Sequence, residues 1–376
     1  MLFAKTKEDA ENNLRVVEEV GEKYGLRINR EKSKVLIYGN GEKYSELSGL
    51  EVVESIKYLG MDVGTDKDMF KEQKGKMRER GKKYENLTYS VISKSCNRLM
   101  MGKTYWKGVV IPSVMYGAGL MNSGVELEGK MQGIENGVYR RILGGRKCTV
   151  VETLRGEAGA SSMERRFMES RLMLTRSIWN GKNDWMKSIL RKTREDRGNK
   201  WNKGLNNCLG KIGYSFEDLV NKSIGEIKRE LNNWENMKWR EGLETKTSVG
   251  MYKRFKERVG GDKIYDNRRE SEILFQTRTN CLRLNNRFRH IQGREGEVNC
   301  DLYGGGIENL EHFMLDCEEL ERKREREIME GGRSEDREEW MGNILWRAND
   351  MGRVKGMVGN MWQERARLRR RMGLQR

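Results

Sequence analysis

Three side chains near the carboxyl end of the sequence have the types and spacing of metal ligands. Cys300, His312 and Cys317 follow the pattern Cys-x2-Tyr-x8-His-x4-Cys. A frame of Cys-x2-Cys-x8-His-x4-Cys closes a tetrahedral zinc site, because thiolate sulfur and imidazole nitrogen are ligands that zinc prefers. Tyr303 stands where that frame has its second cysteine, and a tyrosine hydroxyl is a poor zinc ligand. The sequence therefore predicts a zinc-knuckle-like site with three protein ligands.

The fourth position of such a site has several candidates. Cys281, Asp301 or a water molecule can complete the ligand set. The run Gly304-Gly305-Gly306 keeps the loop between the ligands tight, because glycine adopts conformations closed to other residues. Cys96 and Cys208 have no ligand spacing and are interpreted as packed thiols.

A second chemical feature is a run of basic residues at helical spacing. These residues would form one stripe along a helix: Lys67, Lys71, Lys74, Arg78 and Lys82. Such a stripe can neutralise phosphates along a nucleic acid backbone without reading its sequence. The alternative is an ordinary solvated helix face, and Glu72 and Glu79 dilute the charge.

The overall charge favours a polyanionic partner. The chain has 376 residues and a net charge of +17, from 74 Lys and Arg against 57 Asp and Glu. No apolar run approaches the roughly 20 residues of a membrane span, and the apolar start of the sequence ends at Lys5. The six cysteines are scattered, which is typical of reduced thiols or metal ligands rather than a disulfide framework. We therefore expect no membrane partner and an intracellular location, nuclear or cytoplasmic.

The elements that position these residues divide into an α/β start and a helical remainder. The first part predicts a buried strand at Met1–Ala4 and a helix with an apolar stripe that ends at Gly25. Strands at Val35–Tyr38 and Ile56–Val63 follow, and this order is half of a ferredoxin-like sheet. From about residue 66 the chain is mostly helical, with helices expected over Glu217–Trp239 and Glu318–Glu330. The predicted fold class is therefore α+β.

The sequence divides into five predicted segments. The first is an α/β segment, the second a helical region and the third a helical linker region. The fourth is the zinc-knuckle-like segment and the fifth a basic helical tail. Their bounds are 1–65, 66–145, 146–279, 280–320 and 321–376. The tail contains Arg365, Arg367, Arg369, Arg370 and Arg371. It either enters RNA, or acts as a nuclear address, or forms the solvated end of an amphipathic helix with Trp362 and Leu368 inward.

The first sixty residues resemble the reverse transcriptase of non-LTR (LINE-type) retrotransposons. In that family an apolar strand like Met1–Ala4 directly follows a Tyr/Phe-Ala-Asp-Asp turn. A helix and a stretch like Gly25-Leu26-Arg27-Ile28-Asn29-Arg30-Glu31-Lys32-Ser33-Lys34 come next. Tyr58-Leu59-Gly60 then matches the hairpin that holds the primer end in the family.

The resemblance extends over most of the chain, and it implies a partial palm over residues 1–65 and a thumb-like helical region over residues 66–145. Ile111-Pro112-Ser113-Val114-Met115-Tyr116-Gly117 and Arg141-Ile142-Leu143-Gly144 are similar to the region after the palm, and so is Cys300 to Cys317 near the end. The resemblance implies an RNA-directed DNA polymerase with an RNA template, a DNA primer and Mg2+ as cofactor. The implied nucleic-acid contacts include Lys32, Lys34, Tyr58, Leu59 and Gly60.

The catalytic carboxylates of the family are not found in this sequence. Two-metal nucleotidyl transfer needs carboxylates to hold both ions, and the family's Asp pair would precede Met1. Asp9 and Asp62 are isolated. Lys32 matches a lysine that can protonate the leaving pyrophosphate, and its alternative is a solvated turn lysine. We therefore expect the C-terminal portion of a reverse transcriptase that does not polymerise alone.

Two other functions stay open. The chain is either a non-catalytic RNA- or DNA-binding module, or the inert product of a decayed element, which Tyr303 in place of cysteine favours slightly. The polymerase interpretation rests on Met1–Ala4 pairing with the strands at 33–38 and 56–63. If that segment lies apart from them, only a positively charged helical protein remains.

Overall fold

The computed structural model describes residues 2–38, 44–65, 70–93, 97–261, 263–266, 268–288 and 298–374. The chain forms two compact units, Met1–Arg80 and Gly81–Arg376. It is mostly helical with strands in small sheets, which agrees with an α+β class. None of the described helices combines the length and the apolar character that a membrane crossing requires.

Five short strands lie in the first unit. They are β1 (Lys34–Val35), β2 (Glu46–Leu47), β3 (Leu50–Val52), β4 (Ser55–Tyr58) and β5 (Met61–Gly64).

The helices account for most of the chain. The α-helices are α1 (Lys7–Lys23), α2 (Lys71–Ser93), α3 (Arg98–Tyr105), α4 (Ile111–Val114), α5 (Gly124–Ile142), α6 (Val151–Ala158), α7 (Met163–Asn180), α8 (Asp184–Glu195), α9 (Lys200–Lys211), α10 (Phe216–Asn221), α11 (Ile224–Glu244), α12 (Gly250–Phe255), α13 (Arg269–Arg278), α14 (Asn285–Phe288), α15 (Arg326–Gly331), α16 (Arg337–Gly342) and α17 (Met351–Arg371). Three π-helical turns span Trp106–Val110, His312–Asp316 and Asn343–Arg347, and 3-10 turns span Ala118–Leu120, Thr247–Val249 and Glu318–Lys323.

The predicted opening strand is wrong. Residues 2–4 lie outside any strand, and Leu2 and Phe3 are exposed. The Phe3 carbonyl instead accepts a hydrogen bond from the Asn13 side chain of α1 at 3.3 Å. A short apolar run becomes a strand only where a neighbour pairs with its backbone, and the described residues supply none here.

The small sheets also differ from the predicted ferredoxin-like half. β1 pairs in parallel with β3, and β3 pairs antiparallel with β2. The strand predicted over Ile56–Val63 is instead the hairpin β4–β5, because the chain reverses at Leu59 and Gly60. The predicted strand Val35–Tyr38 is shortened to the two residues of β1. The α+β class therefore holds in coarse form, while the palm-like topology is not formed by the described residues.

Helix α1 begins as the sequence predicts. The Thr6 hydroxyl accepts a hydrogen bond from the Asp9 amide at 3.1 Å, which caps the first turn, and Gly25 has a positive φ of 70° after the helix end. The predicted apolar stripe is only partly buried, because Leu14 is buried while Val17 and Val20 remain exposed.

One core cluster of the second unit lies between helices α7, α9, α10 and α11. A cluster of buried apolar side chains fills the space between them, including Leu172, Leu205, Leu219, Leu231 and Trp234. Ridges of such side chains along one helix face fit between those of the next, so each helix contributes one apolar stripe.

Two predicted helices are divided. The helix expected over Glu217–Trp239 is α10 followed by α11, since Ser223 starts a new helix. The Ser223 hydroxyl accepts from the Glu226 amide and the Glu226 carboxylate accepts from the Ser223 amide, which is a complete capping box. The helix expected over Glu318–Glu330 is a 3-10 turn followed by α15.

The arginine-rich tail is the end of helix α17. Trp362 is buried and Leu368 is half-buried, as an amphipathic helix end requires. α17 packs along α13, and together they close one side of the second unit.

Candidate metal centre and basic surfaces

The first ligand of the predicted metal site lies in a tight loop. Asn299 and Ile307 form an antiparallel bridge, and the Cys300 amide donates to the Gly306 carbonyl at 3.0 Å. The loop can close because Gly304 and Gly306 have φ angles of 71° and 92°, which glycine adopts without strain.

The other two ligands lie at the ends of one π-helical turn. His312 begins the turn, and the Cys317 amide donates to the His312 carbonyl at 2.8 Å. Residues five apart in an α-helix lie about 140° apart around its axis, which would separate these side chains. The wider π turn brings both to the same side, which accounts for a four-residue gap between two ligands.

The three side chains meet in the interior. Cys300, His312 and Cys317 are all buried, and their ligand atoms lie within 4.8 Å of one another. The two sulfur atoms are 3.9 Å apart. This separation is longer than a disulfide bond and suits two thiolates on one ion.

Backbone amides favour the thiolate form of both cysteines. The pKa of the Cys300 thiol is lowered by the hydrogen bond from Cys317 and by backbone hydrogen bonds at Leu302 and Tyr303. The hydrogen bond to Cys300 and burial raise the pKa of the Cys317 thiol overall, while backbone hydrogen bonds at Glu319 and Leu320 act to lower it. Each sulfur thus faces amides two and three residues ahead, which stabilise negative charge on it.

The remaining ligand atom lacks a partner. Nε2 of His312 is buried and makes no hydrogen bond to any described residue. An unpaired buried nitrogen is costly, and a metal ion would satisfy it. Two thiolates and one imidazole are a typical zinc donor set, so the residues present fit this ion. Zinc held by Cys300, His312 and Cys317 would link the loop to the π turn as a structural cross-link.

The candidates for the fourth ligand are placed elsewhere. Tyr303 is about half exposed, and its hydrogen bond to Glu318 raises the pKa of its hydroxyl. Cys281 lies within hydrogen-bonding distance of the Thr149 hydroxyl, at 3.2 Å. Asp301 forms an ion pair with Arg369. Water is therefore the remaining candidate from the sequence.

Two arginines of the basic tail pair with carboxylates in or next to the loop that carries Cys300. The sequence did not indicate these contacts. Arg365 forms a bidentate pair with the buried Glu308, with both nitrogen–oxygen distances at 2.7 Å. Arg369 pairs with Asp301 beside Cys300. These contacts neutralise part of the tail charge, and they lie 57 and 68 residues apart in sequence, beyond the reach of a spacing pattern.

The basic stripe lies on helix α2, as predicted. Lys71 and Lys82 are exposed, and Lys74 and Arg78 are half-buried. Lys67 lies outside the described residues. The phosphate contacts of this stripe stay a prediction.

The hairpin tip carries Tyr58, Leu59 and Gly60. The φ angles of Leu59 and Gly60 are 47° and 82°, so the turn has positive φ at both central residues. Leucine rarely adopts this conformation, and such strain persists where surrounding structure holds it. Tyr58 and Leu59 are 42% and 74% exposed, so the tip presents an aromatic ring and an apolar side chain to solvent.

The hairpin is fixed to the start of α2. The Ser55 hydroxyl donates to the Glu72 carboxylate at 2.9 Å, and Lys76 pairs with the buried Asp62 at 2.7 Å. In an α-helix Lys74 and Arg78 lie on a different face from Glu72 and Lys76, so the hairpin contacts a side of α2 other than the basic stripe.

The two other lysine candidates differ in their surroundings. Lys32 is exposed in a turn, where its amide donates to the Asn29 side chain at 3.0 Å. Lys34 pairs with Glu51 on the neighbouring strand β3. Lys34 therefore has a structural contact of its own, while Lys32 keeps the features of a solvated turn lysine.

The described residues do not form a site for paired Mg2+ ions. Apart from the cysteine–histidine group, the described ranges contain no cluster of three metal-ligating side chains. Asp62 is paired with Lys76, and Asp9 lies at the exposed start of α1. The described part of the chain therefore does not fit two-metal chemistry.

Comparisons with known proteins give no relative. No protein-family model matches the chain, no curated protein matches it, and no solved structure matches its fold.

Proposed function

We propose that this chain binds nucleic acid, holds a structural zinc ion and has no polymerase activity of its own. The observation that carries the proposal is the buried group of Cys300, His312 and Cys317, within a chain of net charge +17. Zinc knuckles are a common module of proteins that bind single-stranded nucleic acid. A positive chain of this size attracts the phosphate backbone over a long range.

The surface of the first unit supports the same proposal. Exposed Tyr58 offers a ring on which a base can stack, and Gly60 lets a strand approach the backbone. The basic turns of α2 are tied to this hairpin through Glu72 and Lys76. Lys71, Lys74 and Arg78 add positive charge to the same unit.

The more specific proposal is that the chain is a C-terminal portion of a LINE-type reverse transcriptase, with an RNA template and a DNA primer. It is supported by the residues Gly25–Lys34, by Tyr58-Leu59-Gly60 at a hairpin tip, and by the knuckle spacing. The condition on which the polymerase interpretation rests is not met, because residues 2–4 do not pair with the strands at 33–38 and 56–63. That observation favours a second candidate, a module that binds RNA or DNA outside any polymerase palm.

The test of nucleic-acid binding is a salt titration of affinity. Fluorescence anisotropy with a labelled RNA–DNA hybrid should show binding at low salt that falls steeply and linearly on a double-logarithmic plot. K74Q/R78Q/K82Q should reduce the steepness by up to about three, roughly one for each phosphate that is no longer neutralised. K192Q/R197Q/K200Q removes the same charge from exposed positions around α8 and α9 and should change it less. Absence of binding by the unmodified chain at low salt would refute the proposal.

Competition separates the two candidates. A reverse transcriptase fragment should prefer an RNA–DNA hybrid over duplex DNA of the same sequence, because its surfaces match the shape of a template–primer duplex. A general module should bind both equally. Primer extension with this chain should give no product in either case, and an extended primer would contradict the expected lack of activity.

A further inference from the structure

An arginine-lined cleft lies in the second unit, away from the cysteine–histidine group. It has a volume of about 590 Å3 and opens to solvent. The last turn of α5, the loop after it, Tyr89 of α2 and the first and middle turns of α13 form its walls. Its charged and polar lining residues include Arg140, Arg141, Arg146, Glu272 and Gln276.

Neutral groups orient two of the arginines. Nε of Arg140 donates to the Arg146 carbonyl at 3.1 Å, and Nε of Arg146 donates to the Gln276 side chain at 3.2 Å. The Gln276 amide in turn donates to the Gly144 carbonyl at 2.7 Å. This chain of hydrogen bonds fixes the loop and the guanidinium groups in one arrangement.

Carboxylates of the described residues do not neutralise Arg140 and Arg141. Neither Arg140 nor Arg141 forms an ion pair with a carboxylate of the described residues, and Glu272 is already paired with Arg98. In the same unit the buried Arg165, Arg278 and Arg365 all pair with carboxylates. Arg140 and Arg141 therefore retain charge for a ligand.

One cleft arginine is stacked on an aromatic ring. The guanidinium carbon of Arg141 lies 4.6 Å from the centre of the Tyr89 ring, and the Tyr89 hydroxyl donates to Glu85. Stacking holds the planar guanidinium flat while its edge can still donate hydrogen bonds. Arginine in this setting binds phosphate oxygens in pairs and also offers its plane to a base.

The loop at the floor of the cleft requires glycine. Gly144 has a φ of 69°, and a Cβ there would lie 2.5 Å from Cγ of Glu272. The backbone therefore approaches α13 more closely than any side chain would permit.

We infer that this cleft binds a phosphate group of a nucleic acid backbone through Arg140 and Arg141. The inference rests on the proposed nucleic-acid function and names a second contact surface for it. Two guanidinium groups beside one open, polar cleft suit an anion with several oxygens. The stacked plane of Arg141 favours a nucleic acid strand over free phosphate, because only the strand brings a base beside its phosphate.

The test compares R140Q/R141Q with K192Q/R197Q in the full chain. Both variants remove two positive charges, and the second pair is exposed at the end of α8 and just after it. For an RNA–DNA hybrid, the cleft variant should lower affinity about tenfold at 0.1 M salt and reduce the salt slope by about two. The control should change the slope by less than one. Since Arg140 holds the Arg146 carbonyl, the single variant R141Q is measured as well, with circular dichroism to confirm folding.

A second probe separates failure of this inference from failure of the proposed function. Inorganic tripolyphosphate should stabilise the unmodified chain against heat, and R141Q should abolish that response. If the hybrid binds equally to R140Q/R141Q and the unmodified chain, the cleft inference is wrong while nucleic-acid binding stands. If no hybrid binds but tripolyphosphate still stabilises through Arg141, the ligand is a free polyphosphate, which overturns the nucleic acid as ligand. If neither probe binds, both proposals fail.

Discussion

Two buried polar clusters in the second unit differ in how their groups are satisfied. One surrounds Glu157, and the other contains Cys300, His312 and Cys317. Glu157 is fully buried, and each of its carboxylate oxygens accepts from two donors. The cysteine–histidine group leaves a buried imidazole nitrogen without a partner among the described residues.

The Glu157 cluster is closed by its own chain. Tyr252 and Lys256 reach one oxygen at 3.0 and 3.3 Å, while Tyr265 and Arg278 reach the other, Arg278 at 3.1 Å. Burial and the neighbouring carboxylate raise the pKa of Tyr252, so its hydroxyl remains a donor. A buried charge that is fully paired needs nothing from outside and acts as structure.

The two clusters differ in whether the described residues supply a partner for every buried polar group. Where the protein supplies every partner, as around Glu157, the cluster joins α6, α12 and α13. Where a partner is missing among the described residues, as at Nε2 of His312, the proposed zinc ion would supply it. The same distinction marks Arg140 and Arg141 in the cleft.

The largest loss of unfolding free energy should come from a substitution of Glu157. Glu157→Gln removes the negative charge and leaves Arg278 and Lys256 buried without an anion, which should cost about 3–5 kcal/mol of unfolding free energy. Urea denaturation of the second unit measures it. Glu164→Gln is the matched control, because Glu164 pairs with Lys211 at a partly exposed site and should cost no more than about 1 kcal/mol. Equal losses of unfolding free energy in the two variants would contradict the structural role assigned to the buried cluster around Glu157.

Metal removal should have the next largest effect. A chelator should lower the unfolding free energy by about 2–3 kcal/mol if zinc is present near a hundredfold above its dissociation constant. Thermal unfolding with and without chelator measures this, and Cys300→Ser should unfold at the chelated midpoint with or without added zinc. A thermal unfolding midpoint that changes with neither chelator nor added zinc would show that Cys300, His312 and Cys317 do not form a metal site.

A cysteine at position 303 should strengthen zinc binding and so widen the difference between the two clusters. Tyr303→Cys places a thiol at the second position of the knuckle frame and should tighten zinc binding by about tenfold or more. Competition with a chromophoric chelator measures the affinity. Tyr303→Phe is the control, since it removes the hydrogen bond with Glu318 without adding a ligand. Unchanged affinity in Tyr303→Cys would show that the loop does not direct position 303 to the ion.

The smallest effect should come from a buried cysteine whose neighbours already satisfy it. Cys281 contacts the hydroxyls of Thr149 and Thr279 at 3.2 and 3.1 Å. Cys281→Ser should keep these contacts, cost about 1 kcal/mol or less, and leave the zinc content unchanged. Loss of zinc in this variant would move Cys281 into the ligand set.

Local patterns carried the correct sequence predictions. The helix start at Thr6, the positive φ at Gly25 and the proximity of the Cys300, His312 and Cys317 side chains all depend on residues within about twenty positions. A spacing pattern can report such contacts because the intervening chain restricts their geometry.

The features that could not be predicted from the sequence depend on contacts between residues far apart along the chain. The donors to Glu157 lie 95 to 121 positions away along the chain, so no local pattern marks that carboxylate. The predicted strand at Met1–Ala4 failed for a related reason, because apolar residues specify a strand only together with a pairing neighbour. The division of the predicted helix at Ser223 did have a local signal, the capping box with Glu226.

The most direct test of the central claim is the metal content of the purified full chain. Mass spectrometric metal analysis after extensive dialysis should find close to one zinc per chain, and none in Cys300→Ser or His312→Ala. Less than about a tenth of an equivalent in the unmodified, folded chain, even after refolding with zinc, would contradict the account.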